Sequence, residues 1–224
     1  DTIDEAIRVF ADCIENEKTI QCDIINASCL RSDVKARNFV GYGGAEIFGE
    51  IPTYTENRFI KYYKGIFSQI FGDLGPFFIG ASLACINKSI KYPFRRKQKW
   101  EISIDGEIVS EGAFQAMIIV NGDLGKDLPL ARDVPLGSGD FYLFALRDIG
   151  IHKLVGQFKK TWNASVLEDP ERWGFEKFCI KETLTLHSHG RKMLKVNIDG
   201  STMRCQEEID FRINGQINLI SAIM

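Results

Sequence analysis

The chain has 224 residues, 45 % of them hydrophobic and 26 % charged, with a formal net charge of -2. This is ordinary globular composition with enough apolar mass for a core, and the weak negative balance excludes whole-molecule attraction to nucleic acid. No apolar run reaches the roughly 18 residues needed to cross a bilayer, and no signal-peptide pattern follows Asp1.

Residues 2–17 are predicted as a helix. Thr2 and Glu5 fit a capping box, and Ile3, Ala6, Ile7, Phe10, Ala11 and Ile14 recur at helical spacing. Beyond Lys18 the period shortens to two: Ile20, Cys22 and Ile24 alternate with Gln21 and Asp23, as in a half-buried strand. A further strand should enter the glycine-rich segment Ala36 to Gly44. Helical spacing returns from Thr55 to Asn87 in two pieces. The first, near 56–71, carries the stripe Phe59, Tyr62, Tyr63, Ile66, Phe67 and Ile70. The second opens at Pro76, which suits a first helical turn because that position has no N–H partner to lose. Its apolar content is nearly all-round, so it should lie deep in the fold.

From Lys97 onward strands dominate. Trp100, Ile102 and Ile104 alternate up to Asp105-Gly106, a hairpin signal because both residues tolerate positive φ. The run Phe114 to Val120 reads as a strand covered on both faces. One amphipathic helix is expected over 149–162, with Ile151, Leu154, Val155 and Phe158 on its apolar face. Strands follow over 178–186 and 193–198, then a turn at Asp199-Gly200. The last pair, 209–213 and 217–220, should form a hairpin about Asn214-Gly215. Short antiparallel strands with tight turns predict a mainly β fold with inserted helices, an antiparallel β-sandwich, as one domain over 1–224.

Six scattered cysteines with no C-x-x-C pair suit reduced, buried thiols and a cytoplasmic setting rather than a disulfide framework. In that setting the sequons at Asn26, Asn87 and Asn163 are coincidental. His187-Ser188-His189 lacks a third metal ligand nearby and reads as a surface turn. Gly41-Tyr42-Gly43-Gly44 could cradle a phosphate through backbone N–H groups, but no helix or Lys-Ser/Thr follows, and a bulge or close backbone approach explains it better. The basic and aromatic run Lys91 to Trp100 is compatible with a solvated loop, an anionic membrane surface or single-stranded nucleic acid.

Taken in order, several segments resemble the C-terminal half of the diacylglycerol kinase and sphingosine kinase-like lipid kinases. They are the helix and strand over Asp4 to Ile25, then Asn38 with Gly41 and Gly43, and a Gly-led helix over 75–86. A strand follows that ends in Asn121-Gly122, then Pro129 with Ala131, Ser138-Gly139-Asp140, and Asp199-Gly200. The resemblance implies a substrate-binding and lid half, with residues 1–18 at the junction with a nucleotide-binding domain. That domain's Gly-Gly-Asp-Gly-Thr motif does not occur here, so this half should not turn over alone. The implied reaction moves a phosphoryl group from ATP, with Mg2+, to a lipid hydroxyl such as that of diacylglycerol or a sphingoid base. Implied partners are the lipid, the nucleotide-binding domain, an anionic membrane surface reached through 91–100 (making the protein peripheral to the membrane), and a second copy in a homodimer. No nucleic acid is expected.

Two departures from the family pattern bear on chemistry. Ser138 and Ser201 stand where the family usually has acids, and a serine hydroxyl is not a useful general base at neutral pH. Asp140 and Asp199 are therefore the nearest catalytic candidates, with Asp133 and Glu207 further away. Asn121 and Arg132 are the candidates for contacting substrate or phosphate, and metal binding is left unassigned. An open apolar cleft is expected beside 132–140 and 199–203. The alternative is a catalytically degenerate module of the same fold that binds a ligand or protein.

Overall fold

The computed structural model describes residues 3–30, 33–55, 75–92, 97–123, 128–190 and 193–220. The helix predicted near 56–71 and residues 93–96 of the basic run lie outside them.

Alternating apolar residues build two six-stranded antiparallel sheets. The first has the order β2-β1-β12-β9-β4-β5: β1 is Thr19–Cys29, β2 Arg37–Phe39, β4 Lys99–Ile104, β5 Glu107–Gly112, β9 Thr183–His189 and β12 Glu208–Ile220. The second has the order β11-β10-β3-β6-β7-β8: β3 is Tyr42–Glu46, β6 Phe114–Val120, β7 Phe141–Arg147, β8 Phe175–Ile180, β10 Leu194–Ile198 and β11 Ser201–Cys205. Trp100, Ile102, Leu186 and Phe211 from the first sheet meet Met117, Ile119, Leu143 and Val196 from the second to form the sandwich core. This is the expected β-sandwich.

A third layer covers the outer face of the second sheet. It comprises α2 (Ile47–Thr55), α3 (Gly75–Lys91) and α4 (Ile151–Trp162), following the leading helix α1 (Ile3–Glu15). Ile118 and Val120 of β6 face these helices while Met117 and Ile119 face the sandwich. That two-sided cover explains why all seven β6 residues are buried and why six of them, all but Gln115, are apolar. Glu46 joins the three layers. Its buried carboxylate accepts from Trp100 Nε1 at 2.9 Å and pairs with Lys88 Nζ at 3.1 Å, while Lys88 also donates to the carbonyls of Phe114 and Gln115.

Several expectations are corrected. Asn214-Gly215 does not turn a hairpin, because β12 continues through it for 13 residues against β1. The pairing runs Asp23 to Gln216 and then Ile25 to Ile213, so Ile24 faces two residues, a bulge that Gly215 permits with φ 138°. The same bulge swaps the buried positions of β1 from Cys22 to Ile25 and Ala27. α2 was not among the predicted elements, and it contains Gly49 and Pro52, the two residue types least suited to a helix interior. Gly49 is required there, since a Cβ would collide with the Lys195 carbonyl.

The helix over 75–91 lies at the surface rather than deep. Its small residues Gly80, Ala81 and Ala84 pack inward, leaving Ile86 and Ile90 54 % and 68 % exposed. On α4, Val155 points outward at 75 % exposure, and the inward face instead holds Leu154, Gln157 and Thr161. Gln157 fills that place by donating to the carbonyls of Arg147 and Trp173 at 2.9 and 2.8 Å. The apolar stripe of α1 is likewise uncovered, with Ile7 and Phe10 60 % and 57 % exposed and only Cys13 buried. Edge strand β5 shows Ile108 and Val109 to solvent between Glu107 and Glu111.

The thiols are not all reduced, nor all buried. Cys29 at the end of β1 is bonded to Cys205 at the end of β11, their Cα atoms 5.5 Å apart, which staples an edge strand to the opposite sheet. Cys13, Cys22, Cys85 and Cys179 are free, and Cys179 is exposed. Burial pushes the Cys85 thiol up to about 11. Unfolded without reductant, the chain should therefore titrate four thiols, and six after reduction. Reduction should cost about 2–4 kcal/mol of unfolding free energy in a denaturant titration. Six thiols without reductant would refute the bond, and in the folded protein at pH 8 Cys179 should alkylate well before Cys85.

Candidate functional site

The β10–β11 connection is the tight turn Asp199-Gly200, with φ 42° and 81°. It places the Asp199 carboxylate over the segment between β2 and β3. One oxygen accepts from the Val40 N–H at 3.1 Å, and the other from Gly41 and Tyr42 at 3.2 and 2.9 Å. The Asp199 N–H returns a bond to the Tyr42 carbonyl at 2.9 Å. Gly41 is glycine for a steric reason, because a Cβ there would stand 2.8 Å from Asp199 Oδ1. The N–H groups that looked able to cradle a phosphate are thus already held by an internal carboxylate. Burial, and then the charge of Asp199, push the Tyr42 hydroxyl above its ordinary range.

A second turn, 137–140, comes to the same region. Gly137 and Gly139 adopt φ 66° and 79°, and Gly137 lies so close to the Gln21 carbonyl that a side chain there would collide with it. The Gly139 N–H donates to Asp23 Oδ2 at 2.9 Å, while Gln216 Nε2 donates to Asp23 Oδ1 at 2.8 Å. Asn121 connects the two turns. Its N–H donates to the Gly41 carbonyl at 3.2 Å, and its side-chain amide donates to the Val40 carbonyl at 3.0 Å and to the Asp23 carbonyl. From Asp199 through 40–42, Asn121 and Asp23 to Gly139, the two turns share one hydrogen-bonded frame on β1. That strand follows directly from α1.

The expected site residues fall in distinct places, some on this frame and some off it. Asp199 is engaged in three backbone bonds. Asn121 is fully buried, and its Oδ1 has no hydrogen-bond partner. Asp140 is half-buried: its N–H donates to Ser138 Oγ at 3.3 Å, and its carboxylate hydrogen-bonds to no described residue. Arg132 is exposed at the end of the short 3-10 turn Pro129–Ala131. Ser201 Oγ donates to the Ile198 carbonyl at 3.0 Å and accepts from Arg37 Nη1 at 3.1 Å. Asp133 is exposed, away from these bonds.

Asp23, Gln216 and Arg37 were missed. Strict alternation sends Asp23 to solvent, yet it is fully buried. The misplaced hairpin signal at Asn214-Gly215 was the available clue, since the bulge there brings Gln216 opposite Asp23.

Among the described residues no group of three or more His, Cys, Asp or Glu could hold a metal ion. His187 and His189 lie on strand β9 rather than in a turn, paired with Glu208 at 3.0 Å and Glu101 at 3.6 Å. An apolar cleft does open, but on the helix side, between Phe48, Ile51, Ile118, Leu146, Phe158 and Trp162, with Leu128 at its rim. Its volume of about 50 Å3 is far below the several hundred Å3 of typical ligand pockets.

No family model matches the chain, and no curated protein does. Solved structures do. One described as "a putative diacylglycerol kinase from Bacillus anthracis str. Sterne" superposes with a TM-score of 0.54 at 16 % identity, over 90 % of this chain and 57 % of that one. A second with the same description gives 0.52 at 16 % identity, over 90 % of this chain and 56 % of that one. The likeness establishes the fold, and the chain spans little more than half the length of those structures.

Removing the Asp199 carboxylate should loosen the frame. Asp199→Ala is expected to cost about 2–3 kcal/mol in a urea titration, and Asp199→Asn less because one acceptor oxygen remains. Equal stability of wild type and Asp199→Ala would show that water replaces the clamp without loss.

Proposed function

We propose that this chain is the acceptor-binding half of a lipid kinase-like phosphotransferase, acting opposite a nucleotide-binding domain that supplies ATP. The observation that carries this reading is the convergence of the 137–140 and 199–201 turns on β1, immediately after a helix whose apolar stripe is bare. A row containing Ile3, Ile7, Phe10 and Ile14 is what a second domain would bury. The fold likeness, spanning little more than half of chains described as diacylglycerol kinases, supports the same division.

The residues here do not fit a magnesium site of their own. No metal-ready cluster occurs among the described residues, and Asp199 is held by three N–H groups. Nucleotide and metal belong to the partner domain, and no step on this chain runs through them. Asp140, whose carboxylate hydrogen-bonds to no described residue, takes the proton of the acceptor hydroxyl. Arg132 pairs with phosphate oxygens. Asn121 and Asp199 are positioning residues that fix the two turns, and Ser138 and Ser201 contribute hydroxyl contacts only.

A second reading, a degenerate module that binds a lipid or protein without transfer, is favoured by Ser138 and Ser201 at the acid positions. An assay with radiolabelled ATP on the protein joined to its nucleotide-binding domain, over diacylglycerols and sphingoid bases, separates the two. Transfer should occur, fall by about 100-fold or more in Asp140→Asn, and be absent from residues 1–224 alone. Lipid binding without transfer to any acceptor would establish the module instead.

A further inference from the structure

We propose that the outer face of the α3–α4 layer is a docking surface for an anionic membrane. On α3, Leu83, Ile86 and Ile90 recur at i, i+3 and i+7 on the face opposite buried Ala81 and Ala84, and all three are exposed. On the neighbouring α4, His152, Val155 and Lys159 share the face opposite buried Leu154, Gln157 and Thr161. Bare aliphatic side chains thus project outward from both helices.

Charge selects the occupant. The two helices contain five lysines (88, 91, 153, 159 and 160) and no carboxylate, within a chain whose net charge is -2. Lys88 is turned inward to Glu46 and does not count, but Lys91, Lys153 and Lys159 are exposed. An aliphatic row beside lysines that pair with no described carboxylate matches anionic headgroups over acyl chains, where each lysine strengthens binding about fivefold. A second copy fits poorly, because an isologous contact would set lysine against lysine. This surface is built from described residues and does not need the 93–96 run. It rests on the proposed function only for its purpose, since a lipid acceptor must be met in a bilayer.

The test is co-sedimentation of residues 1–224, without nucleotide, with vesicles of phosphatidylcholine containing about one-third phosphatidylserine. Binding should exceed that to pure phosphatidylcholine and weaken as salt rises. Ile86→Asp with Ile90→Asp, and separately Lys153→Glu with Lys159→Glu, should each lower partitioning about tenfold or more at unchanged melting temperature. Arg204→Glu, an exposed reversal on β11, should have no effect. Equal binding to neutral vesicles, or variants that bind like wild type, would overturn the proposal. So would variants that dissociate a dimer on a sizing column while vesicle binding persists. Failure of ATP transfer would leave it standing, because nothing in this assay consumes ATP.

Discussion

One carboxylate, that of Asp199, holds the candidate site together. A carboxylate whose two oxygens meet three converging N–H groups makes charge-assisted bonds and fixes a loop that has neither helix nor full ladder to satisfy it. Gly41 exists to let that oxygen approach, and the tight Asp199-Gly200 turn exists to aim it. Once 40–42 are fixed, the carbonyls of Val40 and Gly41 are placed for Asn121, and Asn121 reaches on to β1. An internal anion therefore occupies the kind of nest that other folds offer to phosphate. These backbone N–H groups are therefore not open to a bound phosphate, and the roles proposed for Asp140 and Arg132 do not draw on them.

Layering explains the rest of the architecture. The middle of the second sheet is buried on both faces, so its central strand is apolar at every position but Gln115, while the first sheet keeps one wet face and the alternation that goes with it. Glu46 crosses all three layers, receiving the Trp100 indole from one side and the Lys88 ammonium from the other. A buried ion pair of this kind contributes geometry more securely than stability, because desolvation offsets much of its attraction. It registers α3 against the sheets, and with α3 the exposed aliphatic row.

The sandwich was legible in the sequence because period-two alternation and the Asp105-Gly106 turn are local properties that the fold leaves intact. The Asn214-Gly215 turn was not. Its chemistry suits a hairpin, but β1 is long enough to pair with residues on both sides of it, and the glycine is absorbed as a bulge. Helix α2 was hidden because its glycine answers a carbonyl from β10, a contact invisible along the chain. For the candidate site, the order of short motifs pointed to the 137–140 and 199–200 turns, which share one hydrogen-bonded frame, whereas Asp23, which helps to join them, looked like a solvent-facing carboxylate. The Cys29–Cys205 bond was equally unreadable, since a sequence separation of 176 leaves no local sign of it.

The rim strand β5 has a consequence for life at high concentration. It offers an unpaired row of backbone groups together with Ile108 and Val109, the makings of unwanted sheet extension between molecules. Glu107 and Glu111 bracket that pair, so two molecules meeting rim to rim would press acid against acid. Among the described residues this rim is guarded by a pair of glutamates rather than by a covering element.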